Sequence, residues 1–262
     1  MNYKKLLITL FIVFCNIKSL YAFKIGLDWV LNIQHGVLIY AKKKGYLPKD
    51  TSFIPFQSSS KALQQLALKT VDCAMSYEPN IEAAISNKKF KIKPFFILCK
   101  TPMDCLVSHV PIHDLKGKSI GHQSSVGSIT ELHLKRILKL QGLEFSDITP
   151  VFSLYNLKQG LLSRQFDAAM NIERTAIPDL KKLNKKLYFY QLSEFGISYN
   201  GQVLTVGEDA VFPELYEGLN KAKNEILNDP VKAWKVIIKE RPDFKSKANK
   251  DRWLSYCELL KD

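Results

Sequence analysis

Short apolar runs alternate with amphipathic ones along nearly the whole chain. Residues 23–27 (FKIGL) have the length and apolar content of a strand. From His35 onward apolar positions recur at helical spacing until Gly45 supplies a stop. The period then changes repeatedly. A strand is predicted over 51–56, and a helix over 58–70 with serines at its start and Ala62, Leu63, Leu66 and Ala67 on one face. A strand at 71–77, a helix at 78–87 with proline in its first turn, and a strand at 92–99 complete the first half.

The pattern restarts at 115–122 with a turn and a strand. A capped helix ends at Gly142, and strands at 148–154, 166–172 and 187–192 alternate with helices at 156–165 and 176–186. One more strand and turn follow at 202–210, and from Pro213 the chain is helical throughout. Such alternation predicts parallel sheets covered by helices. The halves echo one another, since each enters its third strand at an aspartate, Asp72 in TVDCAMSY and Asp167 in QFDAAMNI. The expected organisation is therefore α/β with two lobes, residues 23–107 plus 201–262 and residues 108–200. Chain crossings are expected near Val107 and Gly201.

The first 22 residues differ from the rest. Lys4 and Lys5 precede an apolar run of nine (6–14), too short to span a bilayer with ease, and SLYA offers a cut after Ala22. These features predict an export signal and a periplasmic mature protein. The formal charge of +13 falls to +10 without Lys4, Lys5 and Lys18. Its lysines are spread over predicted helical faces, as in KKLNKK, with no arginine-rich or aromatic-interleaved stripe, so no nucleic-acid partner is expected. Cys73, Cys99, Cys105 and Cys257 match no zinc spacing, and His109, His113, His122 and His133 show no paired metal spacing, so no metal site is expected. Export permits disulfides, and a local bridge between Cys99 and Cys105 is one possibility. Trp234 and Trp253 lie at helical spacing among apolar neighbours and are expected in the core.

In parallel sheets, ligands bind at the carboxyl ends of strands, so polar residues just after a strand and before a helix are the candidates. They are Asp28, Trp29, Asn32 and His35, then the QSSS loop at 57–60, then Ser76, Tyr77 and Glu78. In the second half they are Gln123, Ser124, Asn171 and Glu173. Trp29 and Tyr77 offer flat faces to a ring. Asp28, Glu78 and Glu173 accept N–H groups, and Asn32, Gln123 and Asn171 supply mixed donor and acceptor pairs. The serines offer helix-start N–H groups suited to an anion or hydroxyl. Bland roles remain open. Trp29 can cover a lobe edge, Asp28 can be a turn residue, the serines can be plain caps, the glutamates can favour helix starts, and His35 can cap or fill a core contact. No Ser/His/Asp, paired-acid or phosphate-loop arrangement points to an enzyme.

LDWVLNIQHGVLIYAKKKGYL, VDCAMSYEPNIEAA, DLKGKSIGHQSSVGS, FDAAMNIERT and DPVKAWK together resemble the pyrimidine-binding branch of the type II periplasmic binding proteins, in the SsuA/pyrimidine-synthase-like family. The resemblance implies a two-lobed, venus-flytrap fold with a ligand cleft between lobes and a helical C-terminus. It implies a monomeric substrate-binding subunit of an ABC importer, with a thiamine-precursor pyrimidine as ligand, an inner-membrane permease as partner and no cofactor. By the same resemblance Trp29 stacks on the ring, with Asp28, Asn32, Tyr77 and Glu173 nearby. Leu31 stands where the family usually has proline, and NIER lacks the family's aromatic-rich continuation, so riboflavin or a sulfonate is an alternative ligand. The fungal pyrimidine synthase of thiamine biosynthesis is similar in LKGKSIG and DPVKAWK. It holds pyridoxal phosphate on a lysine, uses a histidine as pyrimidine donor and carries an iron-linked cysteine cluster. Here Ser76, Asn80 and residues 197–201 (ISYNG) take those places. Serine forms no Schiff base, so binding without catalysis is expected.

Overall fold

The computed structural model describes residues 22–54, 59–123, 129–153, 156–183 and 186–261. Two five-stranded mixed sheets carry the fold. The first contains β1 (Lys24–Gly26), β2 (Ser52–Ile54), β3 (Cys73–Ser76), β4 (Ile92–Cys99) and β10 (Gln202–Gly207), in the order β2-β1-β3-β10-β4. The second contains β5 (Asp104–Ser108), β6 (Ser119–His122), β7 (Thr149–Phe152), β8 (Ala168–Glu173) and β9 (Tyr188–Gln191), in the order β7-β6-β8-β5-β9. Helices α1 (Gly36–Lys43), α2 (Ser59–Ala67) and α3 (Glu78–Lys88) belong to the first half. The second half holds α4 (Ile129–Leu140), α5 (Leu157–Leu162) and α6 (Ile177–Leu183). Helices α7 (Pro213–Asn228), α8 (Pro230–Glu240) and α9 (Lys247–Leu259) form the helical C-terminal part.

The two sheets have the same strand order, and each owes its one exchanged strand to the other half of the chain. β10 runs antiparallel between β3 and β4, and β5 runs antiparallel between β8 and β9. The sequence echo has a physical basis. Asp72 Oδ2 accepts the Lys24 N–H at 2.7 Å, and Asp167 Oδ2 accepts the Ser119 N–H at 2.9 Å, each across 48 residues. Each aspartate thus ties the start of the first strand to the turn before the third. The Ser119 N–H holds the Asp167 carboxyl below the usual carboxylate range. Both sheets carry proline in an edge strand, Pro94 in β4 and Pro150 in β7, where a missing N–H costs no ladder bond and discourages further pairing.

Strand β5 corrects the expected boundary. Val107 was placed at the end of the first lobe, but Asp104–Ser108 pairs wholly within the second sheet. The chain passes between sheets at 100–103, where Pro102 interrupts two adjacent apolar strands that read as one run. The return passage lies at 200–201 as expected, and the two passages touch. A Cβ on Gly201 would stand 2.1 Å from the Thr101 carbonyl oxygen, so only glycine permits this approach. The same separation excludes a bridge between Cys99 and Cys105. Cys99 Sγ donates to Leu259 O at 3.2 Å and Cys105 Sγ to Ile172 O at 3.2 Å. All four described cysteines are free and buried.

The largest core packs α1, α7, α8 and α9 on the first sheet, with Trp253 and Tyr256 fully buried within it. Trp253 donates its ring N–H to Pro230 O at 2.8 Å, and its ring lies so close to Gly36 that a Cβ there would meet it at 2.2 Å. Trp234 joins the same core, as expected. This packing fixes the start of α1, and with it the loop that precedes it.

Candidate functional site

The loop after β1 turns back on itself. Asn32 Oδ1 accepts the Gln34 N–H at 2.8 Å, and the Asn32 N–H donates to His35 Nδ1 at 3.1 Å. This reciprocal cap starts a single 3-10 turn that leads into α1. With Nδ1 engaged as acceptor, the His35 ring presents Nε2–H to Asp28 Oδ1 at 2.9 Å. His35 is 1% exposed. Its ring holds Asp28 in place, and the Asn32 amide oxygen is engaged in the cap. Trp29 stands beside Asp28, partly exposed, and Leu31 packs against the first core.

From the second sheet, β8 ends in Asn171, Ile172 and Glu173. Asn171 takes the left-handed conformation (φ 65°), which asparagine tolerates better than most residues. It donates Nδ2–H to Asp104 Oδ2 at 3.4 Å, while its enclosed Oδ1 has no partner among the described residues. Asp104 opens β5 directly opposite Glu173 across the ladder. Like charges at such positions repel. Burial pushes the Asp104 carboxyl up to about 6, reinforced by the negative charges of Glu173 and Asp28 against the opposing Asn171 hydrogen bond. Burial also raises Glu173. The Arg252 charge opposes that shift, Asp28 adds to it, and His35 and Thr175 oppose it. Asp28 acts on both acids, so carboxylates from the two sheets lie within electrostatic reach of one another in a half-buried region. Gln34 Nε2 spans the same gap to Thr175 Oγ1 at 3.3 Å.

The remaining predicted residues divide. Glu78 is engaged elsewhere: its carboxylate accepts the Asn200 N–H and Nδ2–H, both at 2.8 Å, and its own N–H donates to Asn200 O at 3.0 Å. It clamps the return passage between sheets. Tyr77 caps α3 in an extended conformation, and its charge and that of Asp104 both act on Tyr199, whose hydroxyl is held far above its ordinary range chiefly by burial. Ser76 is fully buried at the end of β3, with no partner for its hydroxyl among the described residues. Gln123 follows β6, half-buried. Ser124 lies outside the described residues, as do Gln57 and Ser58 of the QSSS loop. A cavity of about 680 Å3 opens between α3 and α4, with Glu78, Glu82, His133, Arg136 and Tyr199 among its walls. Asp28, Trp29, Asn171 and Glu173 are not in its lining, and Tyr199 joins the two regions through its ring stacked on His133 at 5.5 Å.

Gln34 and Thr175 lie inside the candidate loops at 28–35 and 171–175, whereas Asp104 and Tyr199 lie outside every segment between a strand and a helix. Asp104 has a definite signal of another kind. An antiparallel strand begins at the edge where its parallel neighbours end, so its first residue faces the same cleft.

A match to the family model described as NMT1/THI5 like covers residues 32–233. The chain belongs to the NMT1/THI5-like family. Within reach of this family, the chain is 24% identical over 234 residues to a Haemophilus influenzae protein named for thiamine biosynthesis, covering 84% of this chain and 73% of that one. It is 30% identical over 159 residues to the Saccharomyces cerevisiae 4-amino-5-hydroxymethyl-2-methylpyrimidine phosphate synthase THI12, covering 54% of this chain and 44% of the yeast protein. The fold is that of periplasmic binding proteins. The aliphatic sulphonate-binding protein SsuA of Escherichia coli superposes with a TM-score of 0.67 at 16% identity, covering 92% of this chain and 79% of that one. The alkanesulfonate-binding SsuA of Xanthomonas axonopodis pv. citri, bound to MOPS, gives 0.64 at 19% identity, covering 90% and 83%.

The pyridoxal phosphate that the synthase resemblance implies does not fit this NMT1/THI5-like chain. Ser76 offers no amine and is sealed at the strand end, and residues 197–201 contain no cysteine.

Proposed function

We propose that this chain is an exported solute-binding protein that closes on a thiamine-related aminopyrimidine and delivers it to an ABC permease in the inner membrane. Hydroxymethylpyrimidine and formylaminopyrimidine are the model ligands. One observation carries the reading. The His35-held Asp28 of one sheet acts on Asp104 and Glu173 of the other. Among the described residues, two adjacent chain passages, at 100–103 and 200–201, lead from one sheet to the other. Two bodies joined by short passages close by hinge motion around what lies between them. Trp29 and Tyr77 supply ring faces, and the carboxylates accept the ring and amino N–H groups. The lobes are then residues 23–99 plus 202–262 and residues 104–199, with 1–22 as the export signal, and the protein acts as a periplasmic monomer without catalysis.

A sulfonate ligand, as bound by the SsuA proteins of similar fold, is disfavoured by three neighbouring carboxylates. The second reading, a pyrimidine synthase, draws on the yeast relatives and is opposed by Ser76 and Asn80. It predicts a yellow protein after incubation with pyridoxal phosphate, and our reading predicts none. Calorimetric titration and thermal shift with hydroxymethylpyrimidine, formylaminopyrimidine, thiamine, riboflavin and taurine test the ligand. No heat and no stabilisation with either free pyrimidine would end the assignment.

A further inference from the structure

Acceptors gather where the two sheets meet. Asp104 and Glu173 face each other across the β5–β8 ladder, Asp28 approaches from the other sheet, and the enclosed Oδ1 of Asn171 has no donor among the described residues. The charged and titratable groups around Asp104 are Glu173 on β8, Asp28 after β1, Cys105 beside it and Tyr199 at the return passage. The basic groups about them are engaged: the Arg174 guanidinium bonds Thr101 Oγ1 and Pro102 O, both at 3.1 Å, and the His35 ring holds Asp28 at 2.9 Å. Arg252 and Lys158 act on Glu173, and Arg252 also bonds Asp179 through Nε at 2.9 Å, while Asp104 has no charged hydrogen-bond partner among the described residues. An acid-rich hollow in a chain of charge +13 runs against the sign of the whole molecule. Like charges held close together in a half-buried region are costly, and a ligand that brings donors and positive charge lowers that cost on binding.

We infer that Asp104 is a specificity-determining residue that, with Glu173 and Asp28, selects a ligand carrying an amidinium-like edge: adjacent N–H donors bearing a positive charge, as in an N-protonated 4-aminopyrimidine. The inference rests on the reading of this gap as the ligand cleft and names the charge state of its ligand. A neutral aminopyrimidine takes up one proton from water as it binds. Anionic ligands, including a phosphorylated pyrimidine or a sulfonate, are rejected by the same three carboxylates. The enclosed Asn171 oxygen takes one of the ligand's N–H groups.

Titration calorimetry of the purified protein tests this with three probes: hydroxymethylpyrimidine, benzamidine as a pyrimidine-free aryl cation, and MOPS as an anion. Each is run at pH 7.5 in two buffers of different ionisation enthalpy, which counts protons taken up. The expected result is binding of both the pyrimidine and benzamidine, proton uptake with the pyrimidine alone, and no heat with MOPS. Asp104→Asn weakens both cations at least tenfold and reduces the uptake, and Glu173→Gln does so independently should the first variant fold poorly. Binding of benzamidine but not the pyrimidine, lost in Asp104→Asn, keeps the charge selection and removes the pyrimidine assignment. Unchanged cation affinity in both variants, MOPS binding as tightly as benzamidine, or silence from both cations overturns the inference.

Discussion

At the scale of single residues, the cleft trades stability for recognition. Asp104 is the clearest case. Its carboxyl rises from 3.8 to about 6 in the folded protein. Between these values the folded chain holds a proton that the unfolded chain has lost, so stability falls as pH rises through that window and does not return above it. Asp104→Asn removes the charge and keeps the shape. We expect the empty variant to melt higher at pH 7.5, by about 2–8 °C for an effect on the order of 1–3 kcal/mol, and to match the parent below about pH 4. Differential scanning calorimetry at both pH values checks the sign. A stabilised variant that binds its ligand worse marks a functional site. Trp29→Ala is expected to weaken aminopyrimidine binding about tenfold, the loss of a stacking contact worth about 1–1.5 kcal/mol, with melting of the empty protein little changed. His35→Phe fills the same buried place but releases Asp28. It should weaken binding without touching the ligand, and restoring the hydrogen bond with His35→Gln should recover part of the loss.

At the scale of elements, much was legible because the hydrophobic period changes sharply at each boundary. Nine of the ten strands fall where apolar runs of strand length predict them. The tenth, β5, was hidden because four residues separate it from β4, too few to signal that the chain has changed sheets. Hydrophobic pattern reports that a strand is buried, not which sheet buries it. The same blindness hid Asp104, since the site search assumed parallel strands leading into helices. A glutamate at a helix start looks alike in sequence whether or not it is held, as Glu78 is, by the backbone and side chain of Asn200. Asp28, Asn171 and Glu173, the proposed ligand contacts, sit at or just after strand ends, where the sequence places them. The touching passages make a prediction of their own. Gly201→Ala pushes a methyl onto the Thr101 carbonyl, and overpacking of this kind costs about 1–3 kcal/mol. Denaturant melts should show that loss, and Gly45→Ala, where nothing lies within 4 Å, should show a smaller one set by its positive φ alone.

At the scale of the whole molecule, a basic chain surrounds an acidic hollow. The C-terminal helix α9 lies against α6 of the other half, where Lys182 pairs with Asp251 at 2.6 Å and Arg252 with Asp179 at 2.9 Å. These pairs are partly exposed and each contributes about 0–1 kcal/mol, enough to bias closure and too little to lock it. Lys182→Met, which leaves the cleft acids untouched, should raise the radius of gyration of the empty protein in X-ray scattering and lower ligand affinity less than fivefold. The central claim is that the two halves close on a small aminopyrimidine. Calorimetric titration with hydroxymethylpyrimidine tests it most directly. The account predicts saturable one-site binding with a dissociation constant of about 1 μM or tighter, corresponding to about 8 kcal/mol. Saturable binding of taurine or MOPS, with no heat from hydroxymethylpyrimidine or formylaminopyrimidine, would contradict it.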